Sequence, residues 1–123
     1  PERMLMLPNR SQDFFNMNEY DILHKLHNSD VLFLVQVPDR GRIIKVEATP
    51  FDLIEFAADA ERFYAKCHRV TKETYLSWAS DGFSVLCAHS EGGIQCRNIV
   101  AGGKSVTARK YVEMQGTKCS WHR

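Results

Sequence analysis

Apolar and polar positions change their period several times along the chain. From Asn18, whose side chain suits a helix N-cap, Ile22, Leu23 and Leu26 fall on one helical face, and Asn28-Ser29-Asp30 ends the run near His27. Before Asn18 there is little periodicity beyond Phe14-Phe15; an irregular lead-in or a short helix from about Ser11 is expected there. Val31–Val37 and Arg42–Ala48 are apolar, β-branched runs on either side of Pro38-Asp39-Arg40-Gly41, so residues 31–48 predict a hairpin. Thr49-Pro50 opens a helix: Thr caps, Pro takes a position that needs no amide hydrogen, and Asp52 faces the positive end of the dipole. That helix is predicted over 50–66, burying Leu53, Ile54, Ala57, Ala60 and Phe63 or Tyr64. Thr71 with Tyr75, Leu76 and Trp78 predicts another, ending at Ser80-Asp81-Gly82. Beyond it, Phe83–Ala88, Ile94–Val100 and Val106–Met114 read as strands, separated by Gly92-Gly93 and Gly102-Gly103.

The expected fold class is α+β: a small single domain with a central helix packed on an antiparallel sheet. Residues 1–82 form its α+β N-terminal part, and residues 83–123 a zinc-binding β tail integral to the same domain. Composition agrees, with 44% hydrophobic and 25% charged residues in 123. The longest apolar run, Val31–Val35, is far short of a membrane span, and no export signal opens the chain, so a cytoplasmic protein without membrane contact is expected. The net charge of +1 hides a split: residues 1–61 carry 6 basic and 11 acidic side chains, residues 62–123 carry 10 and 4. A basic half is compatible with nucleic acid or an acidic protein surface, and equally with a self-complementary dipole.

The chemistry concentrates at Cys87, Cys96, Cys119 and His122, spaced C-x8-C-x22-C-x2-H. Three thiols and an imidazole are a complement for a tetrahedral structural zinc ion. With a two-residue loop at Glu91-Gly92, Cys87 would face Cys96, with Cβ atoms roughly 4.5–5.5 Å apart. Two thiolates on one zinc ion, each at about 2.3 Å, sit a little under about 4 Å from each other. The same opposition can close a disulfide, and free thiols are a further alternative. Cys119-Ser120-Trp121-His122 supplies the second pair from one tight turn; a disulfide leaves His122 idle, whereas zinc uses all four. Cys67, beside His68 in a predicted helix, stands apart.

Cys87-Ala88-His89-Ser90-Glu91-Gly92-Gly93-Ile94-Gln95-Cys96-Arg97-Asn98, followed by Cys119-Ser120-Trp121-His122, resembles a short zinc module, C-x-x-[ST]-x-x-G-x-x-C-[RK]-N … C-x-x-H, found in phage and mobile-element proteins. The resemblance implies zinc, and by association a DNA-related role; the interval from Cys96 to Cys119 is longer than that module usually has. Residues 31–49 are faintly similar to the opening hairpin of GIY-YIG nucleases. Those enzymes use hairpin tyrosines, a helix arginine and a metal-binding glutamate. Here Phe33 stands in a tyrosine's place and Glu47 in a glycine's, with Arg62 and Glu73 as the later pair, so a nuclease of this kind would be degenerate. Asp21, His24 and His27 on one predicted helix are a weaker metal candidate.

Arg97, Lys104, Arg109, Lys110 and Lys118 surround the zinc segment, with Arg123 at its end and Tyr111 and Trp121 interleaved. Cations with exposed aromatics suit phosphate contact and base stacking on DNA or RNA. If the aromatics pack over the metal, the cations merely solvate it. A non-enzymatic, zinc-stabilised nucleic-acid-contacting protein of a phage or mobile element is the first expectation. The second is a protein-binding inhibitor or adaptor acting on a host protein, with Asp52, Glu55, Asp59 and Glu61 forming an acidic docking face.

Overall fold

The computed structural model describes residues 18–123; the expectation for the segment around Ser11 lies outside them. The described residues form an α+β fold of five helices and two small antiparallel sheets. Helix α1 (Glu19–His27) is capped as expected, the Asp21 amide donating to the Asn18 side chain at 2.8 Å. Strands β1 (Phe33–Asp39) and β2 (Arg42–Ala48) pair from Phe33 with Ala48 to Asp39 with Arg42. The turn is tighter than the four-residue span read from the sequence. Arg40 and Gly41 alone make it, both at positive φ (52° and 83°), as a hairpin twisted to match its strands requires. Asp39, nearly buried, holds Arg40 at 3.0 Å, and burial opposes but does not outweigh the arginines that keep its carboxyl below the usual range.

The predicted helix over 50–66 is two helices. α2 (Pro50–Ala58) begins in a capping box between Thr49 and Asp52, and α3 (Ala60–Cys67) follows after a break at Asp59. Asp59 adopts an extended conformation (φ −159°) because its carboxylate gains two partners there: the Arg62 amide at 3.1 Å, which caps α3, and the Lys72 ammonium at 2.8 Å. The break turns α3 so that Phe63 joins one apolar cluster and Ala65 another. The first cluster packs Val35, Val37, Ala48 and Phe63 with Phe33, Leu53 and Phe56, seating the helices on one face of the hairpin. Of the expected helix-core residues, Ala57 is exposed instead.

α4 (Lys72–Ser80), capped by Thr71, delivers Tyr75 and the fully buried Trp78 to the second cluster. Trp78 donates from Nε1 to the Val106 carbonyl at 2.9 Å, tying α4 to the C-terminal segment. That segment is less regular than three strands. Only β3 (Ser90–Glu91) and β4 (Ile94–Gln95) form a ladder, extended by a single bridge between Leu86 and Ile99. Val106–Met114, read as a strand, instead contains helix α5 (Ala108–Glu113), capped by Thr107. Ala108 and Tyr111 are buried and Met114 packs beside them, a spacing of three that suits a helix; alternation would have buried Lys110, which is exposed.

Candidate metal centre

The second cluster contains two of the four predicted ligands, Cys87 and Cys119, both buried. Cys96 and His122 are half-buried at its rim. The four donor atoms lie within 4.8 Å of one another, the one such group of three or more His, Cys, Asp or Glu among the described residues. His122 Nδ1 is 3.4 Å from Cys87 Sγ and 3.3 Å from Cys119 Sγ, and Cys96 Sγ is 3.9 Å from Cys119 Sγ. A disulfide needs sulfurs at about 2.05 Å; all four cysteines are free. Separations of this size are instead the edges of a tetrahedron around one ion. These residues can hold a metal ion.

The hairpin presents Cys87 and Cys96 in another register than expected. The loop is Gly92-Gly93, both at positive φ, and Ser90 faces Gln95. Cys87 is therefore level with Asn98, whose carbonyl accepts its amide at 2.8 Å, and Cys96 is level with His89. The slip is of two residues, so both thiols remain on one face, as a slip of one would not allow.

Each thiol accepts from a backbone amide two residues on, which favours its ionised form. The His89 amide donates to Cys87 at 3.4 Å, the Asn98 amide supports Cys96, and the Trp121 amide supports Cys119. At Cys119 burial opposes the thiolate, but the Trp121 amide, the Asn98 side chain, Cys87 and His122 bring it down to about 6. At Cys87 burial is likewise outweighed, by the Cys119 and His89 amides and by His122. At Cys96 the Asn98 amide loses to burial and the neighbouring thiols, and the thiol stays above its usual value. His122 is raised by the Cys87 and Cys119 sulfurs, burial working against them. A metal ion bound by these thiols as thiolates would release their remaining protons.

Two bracing residues were not singled out from the sequence. His89 stacks on His122 with ring centroids 3.9 Å apart, and Asn98 places its side-chain nitrogen 3.8 Å from Cys119 Sγ. Asn98 was nonetheless within the quoted C-[RK]-N motif; stacking between His89 and His122 leaves no spacing signature.

Arg97, Lys104, Arg109, Lys110 and Lys118 are all exposed, though Arg109 lies 3.5 Å from Glu113. Arg97, Lys118 and Arg123 are each chain neighbours of a ligand. Trp121 is 83% exposed and does not cover the metal centre. Tyr111 is a core residue, its hydroxyl donating to Asp81 at 2.7 Å, and is not the exposed aromatic that was expected. In the acidic helix pair, Asp52 caps α2, Glu55 binds Lys66 at 2.8 Å and Asp59 binds Lys72. Arg62 and Glu73 do line one cleft of about 1050 Å³, together with Lys66, Arg69 and Lys72. Phe33 and Glu47 lie in the hairpin, outside that lining. Asp21, His24 and His27 do not converge; His24 stacks on Tyr20 and His27 on Phe33. Cys67 is half-buried, its thiol raised by burial, and His68 Nε2 meets the Pro38 carbonyl at 2.9 Å. Among the described residues, no helix is long and apolar enough to cross a membrane.

No family model matches the chain, and neither does any curated protein or solved structure.

Proposed function

We propose that this chain is a non-enzymatic, zinc-stabilised protein that contacts DNA or RNA, of the phage or mobile-element kind that its Cys-Cys-Cys-His module resembles. Zinc is the ion whose ordinary ligands and geometry this donor set matches: three thiols, one imidazole and tetrahedral edges. Four protein ligands leave no open coordination position, so the ion holds structure rather than activating water. Three unpaired thiols beside an imidazole suit a reducing compartment, the cytoplasm.

The observation that carries the nucleic-acid reading is Trp121, 83% exposed on a turn that also supplies two ligands. A large aromatic held in water by a metal-braced backbone, with Arg97, Lys118 and Arg123 beside the ligands, offers stacking and phosphate contact together. Lys104, Arg109 and Lys110 add to the positive field. Elemental analysis and DNA and RNA shift assays at two salt concentrations test the reading. One zinc per chain with salt-sensitive binding is expected; no metal, or no binding at low salt, refutes it.

A second reading has its own support. Leu34 and Ile43, 50% and 57% exposed, lie on the hairpin face opposite Val35 and Val37, with Leu32, 60% exposed, just before it, apolar area that suits a host-protein partner. The acidic face first considered for that role is largely occupied within the chain by Lys66, Lys72 and the α2 cap. A stoichiometric protein partner that binds in the absence of nucleic acid, and is lost in Leu34→Asp, would favour it.

A further inference from the structure

Against the metal centre lies a groove of about 430 Å³ lined by Asn98, Ile99, Ala101, Cys119, Ser120 and Trp121. One of its walls is a ligand, Cys119, and another is Asn98, whose amide nitrogen meets that ligand's sulfur. The groove is therefore built into the knuckle formed by the backbone around Cys96 and from Cys119 to His122. Its single aromatic is Trp121. The chain's other tryptophan, Trp78, is wholly buried and serves the core. Ile99, 45% exposed, adds an apolar side chain to the lining.

We propose that this groove takes one unstacked nucleobase, its face against the Trp121 indole, so that the chain binds single-stranded nucleic acid in preference to duplex. The inference rests on the nucleic-acid reading above and narrows it to a substrate class. A base offers a flat π-face and is linked on both sides to phosphates. The groove offers an indole, and its lining residues are followed or preceded by cations: Arg97 precedes Asn98, Lys118 precedes Cys119, and Arg123 lies two residues beyond Trp121. Stacking of this kind tolerates any base and is sensitive to salt only through the flanking cations. In a duplex both faces of each base are covered by neighbours, and only the edges are offered to a protein. The knuckle and its groove consist of turns and irregular backbone from Asn98 to Ala101 and from Cys119 to Trp121, with no helix to lay along a major groove. Because the ligands fix the backbone on both sides of Trp121, little ordering remains to be done when a base arrives.

The test uses the full zinc-loaded chain and fluorescence anisotropy of a labelled oligothymidylate of about twelve nucleotides, a length within the usual site sizes for single strands. A duplex of the same phosphate number is the competitor. Tighter binding of the single strand is expected, weakened about 5- to 150-fold by Trp121→Ala, the range expected for loss of one stacked base. The salt slope should be unchanged in that variant, because an indole contacts no phosphate, whereas Lys118→Ala should reduce the slope by about one unit or less. Trp121→Phe should retain part of the affinity. Since Trp121 is 83% exposed, zinc content and the urea midpoint should match the parent in all three variants, which separates a lost contact from a lost fold. Equal affinity of the Trp121→Ala variant, or a duplex that competes equally, overturns the single-strand inference while leaving nucleic-acid contact standing. Failure of single strand and duplex alike overturns the functional reading as well.

Discussion

Chelation of the metal should unfold the C-terminal segment and leave the hairpin formed. The apparent binding free energy of a structural zinc ion is about 10–16 kcal/mol near neutral pH. A whole domain is stable by only about 5–15 kcal/mol. What the segment retains without the ion is slight: two strands of two residues each and a six-residue helix. Isolated helices need roughly 12–15 residues to persist in water. Cys87 and Cys119 also sit inside the cluster that buries Val85, Val100, Val106 and Tyr111, so releasing the ligands opens that cluster directly. The cluster of Val35, Val37, Ala48 and Phe63 contains no ligand and is closed by a seven-residue strand pair. Hydrogen exchange with and without excess chelator resolves the two. The amides of Val85, Cys87, Cys96, Val100 and Val106, all hydrogen-bonded within the segment, should lose protection, while those of β1 and β2 keep theirs. Unchanged exchange at Cys87 and Val100 after the metal is removed would refute the reasoning, and so would loss of both regions together.

Trp78→Phe removes the donor to the Val106 carbonyl and leaves a small void, and should cost about 2–3 kcal/mol in urea unfolding of the metal-loaded chain. A cost under about 0.5 kcal/mol would show that water replaces the bond. Gly103→Ala places a Cβ 2.7 Å from a Val100 methyl and 3.0 Å from Val85 Cβ, so a loss of about 1–3 kcal/mol is expected in the same assay. Tyr111 is pushed up to about 12, by burial first and then by its bond to Asp81. Its native value lies above the unfolded one near 10, so its contribution is complete below about pH 10 and is lost as pH rises through 12. Denaturant midpoints for Tyr111→Phe should fall less steeply over that window than those of the parent; parallel curves would remove the Tyr111 contribution.

The elements legible in the sequence are those whose signals are local. Asn18 and Thr49 cap the helices they were expected to cap, and Thr71 caps the helix it was expected to start, because an N-cap needs only its own side chain and an amide three residues on. Val35 and Val37 are buried on alternate positions of a strand whose turn is marked by Gly41. The break at Asp59 was hidden because half of its cause, Lys72, lies 13 residues away, while Ala57-Ala58 and Ala60 favour an unbroken helix. α5 was obscured by Val106, Thr107 and Val112, β-branched residues at strand-like positions, although Thr107 was a usable cap. The hairpin register offered two turn dipeptides, Glu91-Gly92 and Gly92-Gly93, and was decided by backbone bonds from Cys87 to Asn98 and from Cys96 to His89. The convergence of Cys87, Cys96, Cys119 and His122 was legible across 35 residues because three thiols and an imidazole have few other joint uses. Their bracing by His89 and Asn98 belongs to the folded arrangement.

The link between metal and nucleic acid can be tested by its sign. Three thiolates against a divalent ion leave the zinc-loaded site with a net charge of about −1; in the empty site Cys119, brought down to about 6, is a thiolate beside a raised His122, so the two charges are close. Removing zinc therefore changes the net charge of the chain little. If phosphate attraction through net charge were all that mattered, the metal-free chain would bind nucleic acid at least as well, with an equal or steeper salt slope. The proposed function predicts the opposite. Arg97, Lys118 and Arg123 each adjoin one of the four clustered residues, and Trp121 precedes His122, so an ion held by the cluster would fix the backbone that carries all four. Without it, ordering that backbone costs roughly 1–2 kcal/mol per residue at the moment of binding. Affinity should fall by at least about tenfold on chelation and return when zinc is restored. Binding that is equal or tighter without metal would mean that the knuckle and the nucleic-acid contact are unconnected.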